Sequence, residues 1–274
     1  MPFGLDTLIS SNDSPFIERA LSIEAFAQSR RKGVGFDLDR NNLTFAAMAF
    51  GPSIDGDEGN GAGARLTYAP VNRGRDVVHL GVAVTSERPA TAVEFRARPE
   101  SRPSDFRLVR TGDIDDVRRI NLLGLEAAWR AGPFSVQAEW MRAEVRRSDG
   151  AADLGLGGWY VGASWILTGE FRGYKGGRFR GVETGSTGAW ELTARYGMID
   201  LDDNDAEGGE QSNTLLGLNW YASKNVRIMA NYIKVNSDRR GVADDPSILL
   251  LRAQVSFLTA HRPLCRTAPD LPGA

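Results

Sequence analysis

The sequence predicts an all-β protein, and three observations lead to this fold class. From about residue 43 onward, apolar and polar residues alternate with a period of two, which is typical of a β-strand with two different faces. None of the twelve prolines interrupts the alternating segments, as expected because proline cannot donate a hydrogen bond to a strand ladder. No segment of ten or more residues has a convincing helical period, apart from a short turn predicted near residues 16–26.

Eleven strands follow one another along the chain. In the segment 189–196, for example, the apolar Trp190 and Leu192 flank the polar Glu191. Most of the segments have eight to twelve residues, whereas strands of globular proteins have about five or six and tilted membrane-spanning strands about 9 to 11. The predicted strands are 33–38, 43–50, 61–69, 77–86, 119–130, 134–140, 157–168, 189–196, 213–221, 226–236 and 249–257.

Short and long connections alternate between these strands. This alternation is typical of outer-membrane barrels, which have short periplasmic turns and longer external loops. One connection breaks the rule, because the glycine-rich residues 169–187 lie where a short turn is expected and carry several basic side chains. The short connections are 39–42, 70–76, 131–132 and 222–225, and the long ones are 51–60, 147–156, 198–212 and 237–247.

The apolar face of the strands carries all six tryptophans in register with the aliphatic residues. Tryptophans near strand ends are typical of the aromatic girdles that contact lipid headgroups. A soluble β-sandwich also has one apolar and one polar face, so the pattern favours a membrane barrel while a sandwich remains an alternative. The tryptophans are Trp129, Trp140, Trp159, Trp165, Trp190 and Trp220. The opposite face carries Glu126, Glu139, Glu191, Arg195, Arg227 and Arg252.

Composition excludes several classes of function. The chain has 274 residues, one cysteine and two histidines, so it has neither an internal disulfide nor a zinc site built from its own cysteines and histidines. No catalytic motif or cofactor motif is present, and we predict a protein that is not an enzyme and has no cofactor. The pI near 5.8 argues against a nucleic-acid partner. The longest apolar run, Phe45 to Phe50, is far below the roughly 18 residues of a membrane helix.

Arginine dominates the basic residues. Only four of the 33 basic residues are lysines, which leaves 29 arginines against 35 acidic residues. A planar guanidinium binds oxyanions better than an ammonium does, although a GC-rich genome would also produce this bias. The first thirty residues contain no basic leader followed by an apolar stretch, so we predict no secretory signal peptide in the chain as written.

Several short motifs, in a shared order, resemble the phosphate-selective porin O and P family. Single motifs are weak, but their order along nearly the whole chain up to Phe257 is specific. The motifs are Pro2-Phe3-Gly4-Leu5, Phe16-Ile17-Glu18-Arg19, Glu24-Ala25-Phe26-Ala27, Ala64-Arg65-Leu66-Thr67, His79-Leu80-Gly81, Phe95-Arg96-Ala97-Arg98-Pro99-Glu100, Gln137-Ala138-Glu139-Trp140, Ala189-Trp190-Glu191-Leu192-Thr193-Ala194-Arg195-Tyr196 and Arg252-Ala253-Gln254-Val255-Ser256-Phe257.

This resemblance implies a sixteen-stranded, homotrimeric porin of the bacterial outer membrane that passes anions, phosphate or polyphosphate among them. In that family the Pro-Phe-Gly segment follows the fifth strand. We therefore expect residues 1–32 to form a constriction-loop-like segment and residues 33–257 to supply eleven C-terminal strands of a sixteen-stranded barrel. The signal peptide and five strands would then precede this chain. Residues 258–274 are expected to be an irregular C-terminal extension.

Counting strands backward from 248–257, taken to end in the periplasm, places both ends of residues 87–118 on the outer side. We expect this segment to fold along the pore wall as an arginine ladder, because its charges repeat with the strand period; an ordinary solvated loop is the alternative. Glu100 and Asp105 are expected to neutralise part of the ladder. The predicted anion-binding or pore-lining residues are Arg96, Arg98, Arg102, Arg107, Arg110, Arg65, Arg195, Arg252, Ser10 and Ser11.

The sequence therefore predicts an outer-membrane porin that passes anions by diffusion along lumenal arginines, in contact with outer-membrane lipid. A non-selective or structural outer-membrane barrel is the first alternative. A soluble β-sandwich binding module is the second.

Overall fold

A computed structural model describes residues 1–28, 30–53, 58–148, 150–185 and 188–257. Its helices are α1 (Leu5–Leu8) and α2 (Leu21–Phe26). No helix within the described residues is long and apolar enough to cross a membrane. The predicted C-terminal extension, residues 258–274, lies outside the described residues.

All eleven predicted strands are present, and five short strands accompany them. In chain order, the strands are β1 (Arg31–Arg40), β2 (Leu43–Ser53), β3 (Asn60–Arg73), β4 (Asp76–Arg88), β5 (Arg96–Ala97), β6 (Val109–Arg110), β7 (Val117–Ala131), β8 (Phe134–Arg147), β9 (Leu154–Ile166), β10 (Arg172–Tyr174), β11 (Phe179–Val182), β12 (Ala189–Asp203), β13 (Ala206–Tyr221), β14 (Val226–Arg239), β15 (Val242–Asp244) and β16 (Ser247–Val255).

The long strands form one antiparallel meander. The order is β1-β2-β3-β4-β7-β8-β9-β12-β13-β14, and β14 pairs with both β15 and β16. The register places Glu126 directly opposite Glu139 and Trp190 opposite Trp220. The sheet is open, because within the described residues β1 and β16 each pair with a strand on one side only.

Tight turns set the register of the hairpins. Asn41 and Asn42 connect β1 to β2 with φ angles of 51° and 65°, and Arg240 and Gly241 connect β14 to β15 with φ angles of 56° and 74°. Two successive residues with positive φ match the right-handed twist of the flanking strands, and asparagine and glycine adopt this conformation more readily than other residues. We call the end of the sheet with residues 41–42 the lower end and the end with residues 240–241 the upper end.

The long connection predicted at residues 198–212 is wrong. β12 continues to Asp203 and β13 begins at Ala206, so that only two residues connect them. The alternation does not stop near residue 197, but the polar and apolar residues exchange faces there. Beyond that point the inward side chains Ile199 and Leu201 are apolar and fully buried, while the outward positions carry aspartates.

The same reversal occurs in β8. Near the lower end, its inward residues are polar, as in Gln137 and Glu139. Near the upper end, the inward residues Met141, Ala143 and Val145 are apolar and fully buried. The two ends of the sheet therefore have opposite polarity on each face, and we call the face that carries these buried side chains the inner face.

Three segments cover the inner face. They are the N-terminal segment (residues 1–28), the upper insert (residues 89–116) and the lower insert (residues 167–185). Helix α2 packs on β8, β9 and β12, while the short strands of the upper insert contact α2, β13 and β14. The Phe26 and Phe95 rings lie 5.8 Å apart between these two segments. The largest hydrophobic cluster thus lies between the covering segments and the upper part of the sheet, and three smaller clusters lie elsewhere on the inner face.

The outer face is apolar and exposed. All six tryptophans lie on it, each between 37% and 48% exposed. The Phe134 and Trp165 rings stack 5.1 Å apart at the lower end, and the Trp190 and Trp220 rings stack 5.7 Å apart in the same row. A soluble sandwich would bury these tryptophans in its core, so the sandwich alternative is wrong.

Candidate functional site

The candidate site is the polar lower part of the inner face, together with the three segments that cover it. The predicted polar face is confirmed, since Glu126, Glu139, Glu191, Arg195 and Arg227 are all buried on the side opposite the tryptophans. Buried charges require partners, because an unpaired charge in a low-dielectric interior is very costly. The partners of these residues show how the segments are held.

Glu126 on β7 holds Arg65 of β3. The Arg65 Nε and Nη2 atoms donate to the two carboxylate oxygens at 2.8 and 2.6 Å. His79 of β4 completes the group, with its Nε2 atom 3.2 Å from Glu126 and its Nδ1 atom 2.7 Å from the Tyr174 hydroxyl. Because Tyr174 belongs to the lower insert, this group attaches that insert to the sheet.

The lower insert also approaches the sheet through its backbone. Arg65 Nη2 donates to the Gly177 carbonyl at 2.9 Å. Gly177 has a φ of +64°, and a Cβ atom there would lie 2.5 Å from the Thr67 hydroxyl, so only glycine fits this approach. Burial raises the pKa of Tyr174 to about 12, and its hydroxyl therefore remains protonated at neutral pH.

Glu139 on β8 holds the N-terminal segment. Its carboxylate oxygens accept the backbone N–H groups of Leu5 and Asp6, both at 2.7 Å. The Tyr160 hydroxyl donates to the same carboxylate at 2.6 Å. These N–H groups lie in the first turn of α1 and have no partner within the helix, so Glu139 fixes where the segment meets the sheet.

Glu191 on β12 holds the other end of the lower insert. Arg172 Nε donates to one oxygen of Glu191 at 3.1 Å, and the Tyr221 hydroxyl and the Asn219 amide donate to the other oxygen at 2.7 and 2.9 Å. Arg172 and Glu191 are both at least 98% buried. Three inward glutamates therefore attach two of the three covering segments.

The upper insert is attached with the charges reversed. Arg195 of β12 forms an ion pair with Glu100 of the insert, with its Nη2 atom 2.8 Å from Oε2, and the same Nη2 donates to the Glu18 carbonyl at 3.0 Å. The Arg195 guanidinium also lies over the Phe16 ring, 4.3 Å from its centroid. Burial raises the pKa of Glu100, and the Arg195 charge opposes this rise.

The predicted ladder arginines lie on the upper insert, which forms a short antiparallel pair. Arg96 is directly opposite Arg110, and the alternate residues Ala97 and Val109 are fully buried. The arginines consequently point away from the sheet. Burial and the charges of Arg96 and Arg98 lower the pKa of Arg107. The three guanidinium groups are therefore close enough for their charges to interact.

Part of the ladder is neutralised by carboxylates. Arg96 pairs with Glu94 at 2.6 Å, and Arg98 pairs with Glu24 at 2.8 Å and with Asp105 at 3.7 Å. Asp105 thus lies where the sequence predicts it, whereas Glu100 pairs with Arg195. Within the part of the chain that the structure describes, no carboxylate oxygen lies within 4.0 Å of the guanidinium nitrogen atoms of Arg102, Arg107 or Arg110. The Glu18 carboxylate is nevertheless near Arg102. Burial raises the pKa of Glu18, and the charge and backbone N–H of Arg102 both act to lower it.

The remaining predicted site residues lie in two environments. Ser10 and Ser11 are exposed in the N-terminal segment, and the Ser10 hydroxyl accepts the Asn12 N–H at 3.2 Å. Arg252 on β16 is half-buried and its Nη1 atom lies 3.5 Å from the Ile17 carbonyl. Arg65 is 4% exposed. Direct contact of these residues with an anion stays a prediction.

Sequence reasoning missed the residues that hold the lower insert. His79, Tyr174 and Arg172 were not predicted as site residues, and neither were Tyr160 and Tyr221. The available signal was the glycine-rich break at residues 169–187, whose length and basic charge did not fit a turn. The inward glutamates Glu126 and Glu191 carry the negative charge that complements the basic side chains of this segment.

An open antiparallel meander with an exposed aromatic outer face and a polar inner face covered by three segments is consistent with a β-barrel protein of the porin type. The family model described as phosphate-selective porin O and P matches residues 1–257, and the chain belongs to this family.

Two relatives show the extent of the similarity. An uncharacterized protein of Caulobacter vibrioides is 32% identical over 257 aligned residues, which cover 84% of this chain and 51% of that protein. Porin O of Pseudomonas aeruginosa is 28% identical over 277 aligned residues, which cover 86% of this chain and 63% of porin O. The chain spans about half to two thirds of the length of these relatives.

Proposed function

We propose that this chain belongs to an anion-selective porin of the bacterial outer membrane, which passes phosphate or polyphosphate by diffusion past the upper insert. One observation carries the proposal. The guanidinium groups of Arg102, Arg107 and Arg110 form no ion pair with a carboxylate among the described residues, and they share one segment with Arg96 and Arg98. Guanidinium groups whose charge is not matched by a carboxylate remain available to a passing oxyanion, although Arg107 Nη1 also donates to the Asp105 backbone carbonyl at 3.1 Å.

The proposed mechanism is electrostatic. Each arginine presents fixed N–H donors that replace part of the hydration shell of an oxyanion. Several weak sites in series allow an anion to enter and also to leave, which conduction requires. Ser10 and Ser11 would add neutral donors where the N-terminal segment narrows the passage. Arg65, Arg195 and Arg252 would contribute positive potential from the wall behind them.

We further propose a closed barrel of sixteen strands that assembles as a homotrimer. The eleven long strands alternate in direction, so β1 and β16 run the same way. An antiparallel closure therefore needs an odd number of additional strands between them, and five such strands satisfy this condition. The exposed tryptophans would contact outer-membrane lipid, and the lower end would face the periplasm.

A non-selective or structural barrel remains the second candidate. The observation in its favour is that Arg96 and Arg98 have carboxylate partners, which reduce the positive potential of the ladder. The two candidates differ in whether phosphate competes with chloride for the pore.

Planar-bilayer recording distinguishes the two candidates. The variant Arg102→Ala/Arg107→Ala/Arg110→Ala is expected to lower the anion-to-cation permeability ratio and to weaken the block of chloride current by phosphate. A matched control is Arg118→Ala/Arg146→Ala/Arg240→Ala, which removes three exposed arginines elsewhere at the upper end. Equal selectivity in the two triple variants, or a wild-type chain that shows no preference for anions, would contradict the proposal.

A further inference from the structure

The turn at residues 10–16 of the N-terminal segment is held by its backbone carbonyl groups. Four of these carbonyls accept hydrogen bonds from side chains of the sheet and the lower insert. The bonds are Arg227 Nη2 to Ser11 O at 3.4 Å, Arg172 Nη1 to Asp13 O at 2.6 Å, Arg227 Nη1 to Ser14 O at 2.8 Å and Asn219 Nδ2 to Pro15 O at 2.8 Å.

Two of these donors, Arg172 and Asn219, bond to one carboxylate, and the third, Arg227, is connected to it through Tyr221. Arg172, Asn219 and Tyr221 all donate to Glu191, and the Tyr221 hydroxyl accepts a hydrogen bond from Arg227 Nη1 at 3.4 Å. Glu191 is fully buried. Its charge stabilises the Arg172 guanidinium directly, whereas Arg227 is connected to it through Tyr221. Each arginine directs at least one N–H group at the turn.

This arrangement determines which side of the turn faces the passage. The carbonyl oxygens, which carry the negative ends of the peptide dipoles, are bound on the side of the sheet. Ser10, Ser11 and Asn12 are exposed. An anion that approaches the exposed side therefore meets hydroxyl and amide groups and avoids a row of carbonyl oxygens.

We infer that Glu191 is a positioning residue for anion passage, which acts through Arg172, Arg227 and Asn219 to orient the turn at residues 10–16. The inference rests on the proposed function for its effect on conduction. Its effect on the orientation of the turn is independent of that function. No contact between Glu191 and an anion is required.

The test is Glu191→Gln, which preserves the shape of the side chain and removes its charge. Hydrogen exchange reports the turn directly, because Asp13 N–H bonds to Ser10 O at 2.8 Å and Ile17 N–H bonds to Asn231 Oδ1 at 2.9 Å. We expect these amides to exchange at least about tenfold faster, because Arg172 loses the carboxylate that orients it and its charged hydrogen bond to the turn weakens. Bilayer recording is expected to show a lower anion preference in the same variant.

Two further variants keep the test decisive. Glu207→Gln is the matched control, because Glu207 is an exposed glutamate whose partner Arg240 is also exposed; it should change neither readout. If Glu191→Gln does not fold, Glu191→Gln/Arg172→Met removes both buried charges, and a buried pair replaced in this way is often tolerated. Faster exchange at Asp13 and Ile17 is expected in this double variant as well.

Three outcomes decide the inference. If exchange and selectivity both change while β12 and β13 stay protected, Glu191 positions the turn. If exchange accelerates equally along β12 and β13, Glu191 only stabilises the sheet and the inference fails. If the wild-type chain shows no anion preference, the proposed function fails, and unchanged exchange at Asp13 and Ile17 overturns the inference separately.

Discussion

The arginines of the sheet and those of the upper insert have the same chemistry but opposite environments. Arg65 and Arg195 are at most 4% exposed and each bonds to a buried glutamate. The side chain of Arg96 is 50% exposed, and Arg102 and Arg110 are also exposed. The number of arginines on an inner face therefore does not measure its capacity to bind anions, because a buried arginine already has partners within the protein. These partners are carboxylates for Arg65 and Arg195 and backbone carbonyls for Arg130 and Arg227.

The difference originates in the backbone. In a long strand of this sheet, the inward positions are covered by a packed segment, so an arginine there must be paired or hydrogen-bonded within the protein. In the upper insert the side of Ala97 and Val109 is buried, and the alternate side, which carries the arginines, remains open. Whether a given arginine holds the fold or is free to bind a ligand therefore depends on which side of its strand is covered.

The largest expected effect comes from breaking a pair in the sheet. Arg65→Ala leaves Glu126 buried with His79 as its remaining ionisable partner, and removing one member of a buried pair costs about 3–5 kcal/mol. Chemical unfolding of the protein in detergent measures this loss. The control is Arg73→Ala, an exposed arginine of the same strand, which should leave the midpoint unchanged. A loss no larger than that of the control would show that Arg65 does not hold the fold.

A smaller effect on stability is expected at Glu100, a residue of the upper insert that pairs with Arg195 of the sheet. Burial raises the pKa of Glu100 above its ordinary value of about 4.5, so the folded state binds the proton more tightly than the unfolded state does. Its contribution to stability is therefore fully present below about pH 4.5 and is lost as the pH rises through the folded-state pKa.

The variant Glu100→Gln removes this pH dependence. Unfolding midpoints between pH 4 and pH 8 should fall more steeply in the wild type than in the variant. If the wild type instead gains stability relative to the variant as the pH rises, the ion pair with Arg195 outweighs the burial of Glu100. Arg195 would then hold Glu100 in its charged form, as Arg65 holds Glu126.

The sequence was sufficient to predict the eleven long strands, because a period of two survives in each of them. It failed at the upper ends of β8 and β12, where the inward residues change from polar to apolar, as at Glu139 and Met141. A prediction that requires the same face to stay apolar ends the strand at that point, although the strand itself continues. The reversal occurs because the covering segments pack on the upper part of the inner face. The residue pattern of a single strand does not reveal this packing.

The candidate site was predictable only in part. The charge repeat of the upper insert was visible in the sequence, and so was the inward position of Glu126, Glu139 and Glu191. The partners of these glutamates were not visible, because they lie up to 134 residues away along the chain, as for Glu139 and Leu5. Which arginine is paired and which is free is a property of tertiary contacts.

The smallest effect on stability is expected at Arg96 and Arg98, and this prediction tests the comparison most sharply. Their carboxylate partners are at least partly exposed, and such pairs contribute about 0–1 kcal/mol each. Arg96→Ala/Arg98→Ala should therefore leave the unfolding midpoint nearly unchanged while it lowers the anion preference in bilayer recording.

The converse variant Glu94→Gln/Glu24→Gln removes the carboxylates and should raise that preference. If both double variants keep the wild-type selectivity, the upper insert is an ordinary solvated loop and the ladder assignment is wrong. If the arginine variant instead unfolds as readily as Arg65→Ala, the arginines of the insert also hold the fold, and the distinction between occupied and free arginines does not exist in this protein.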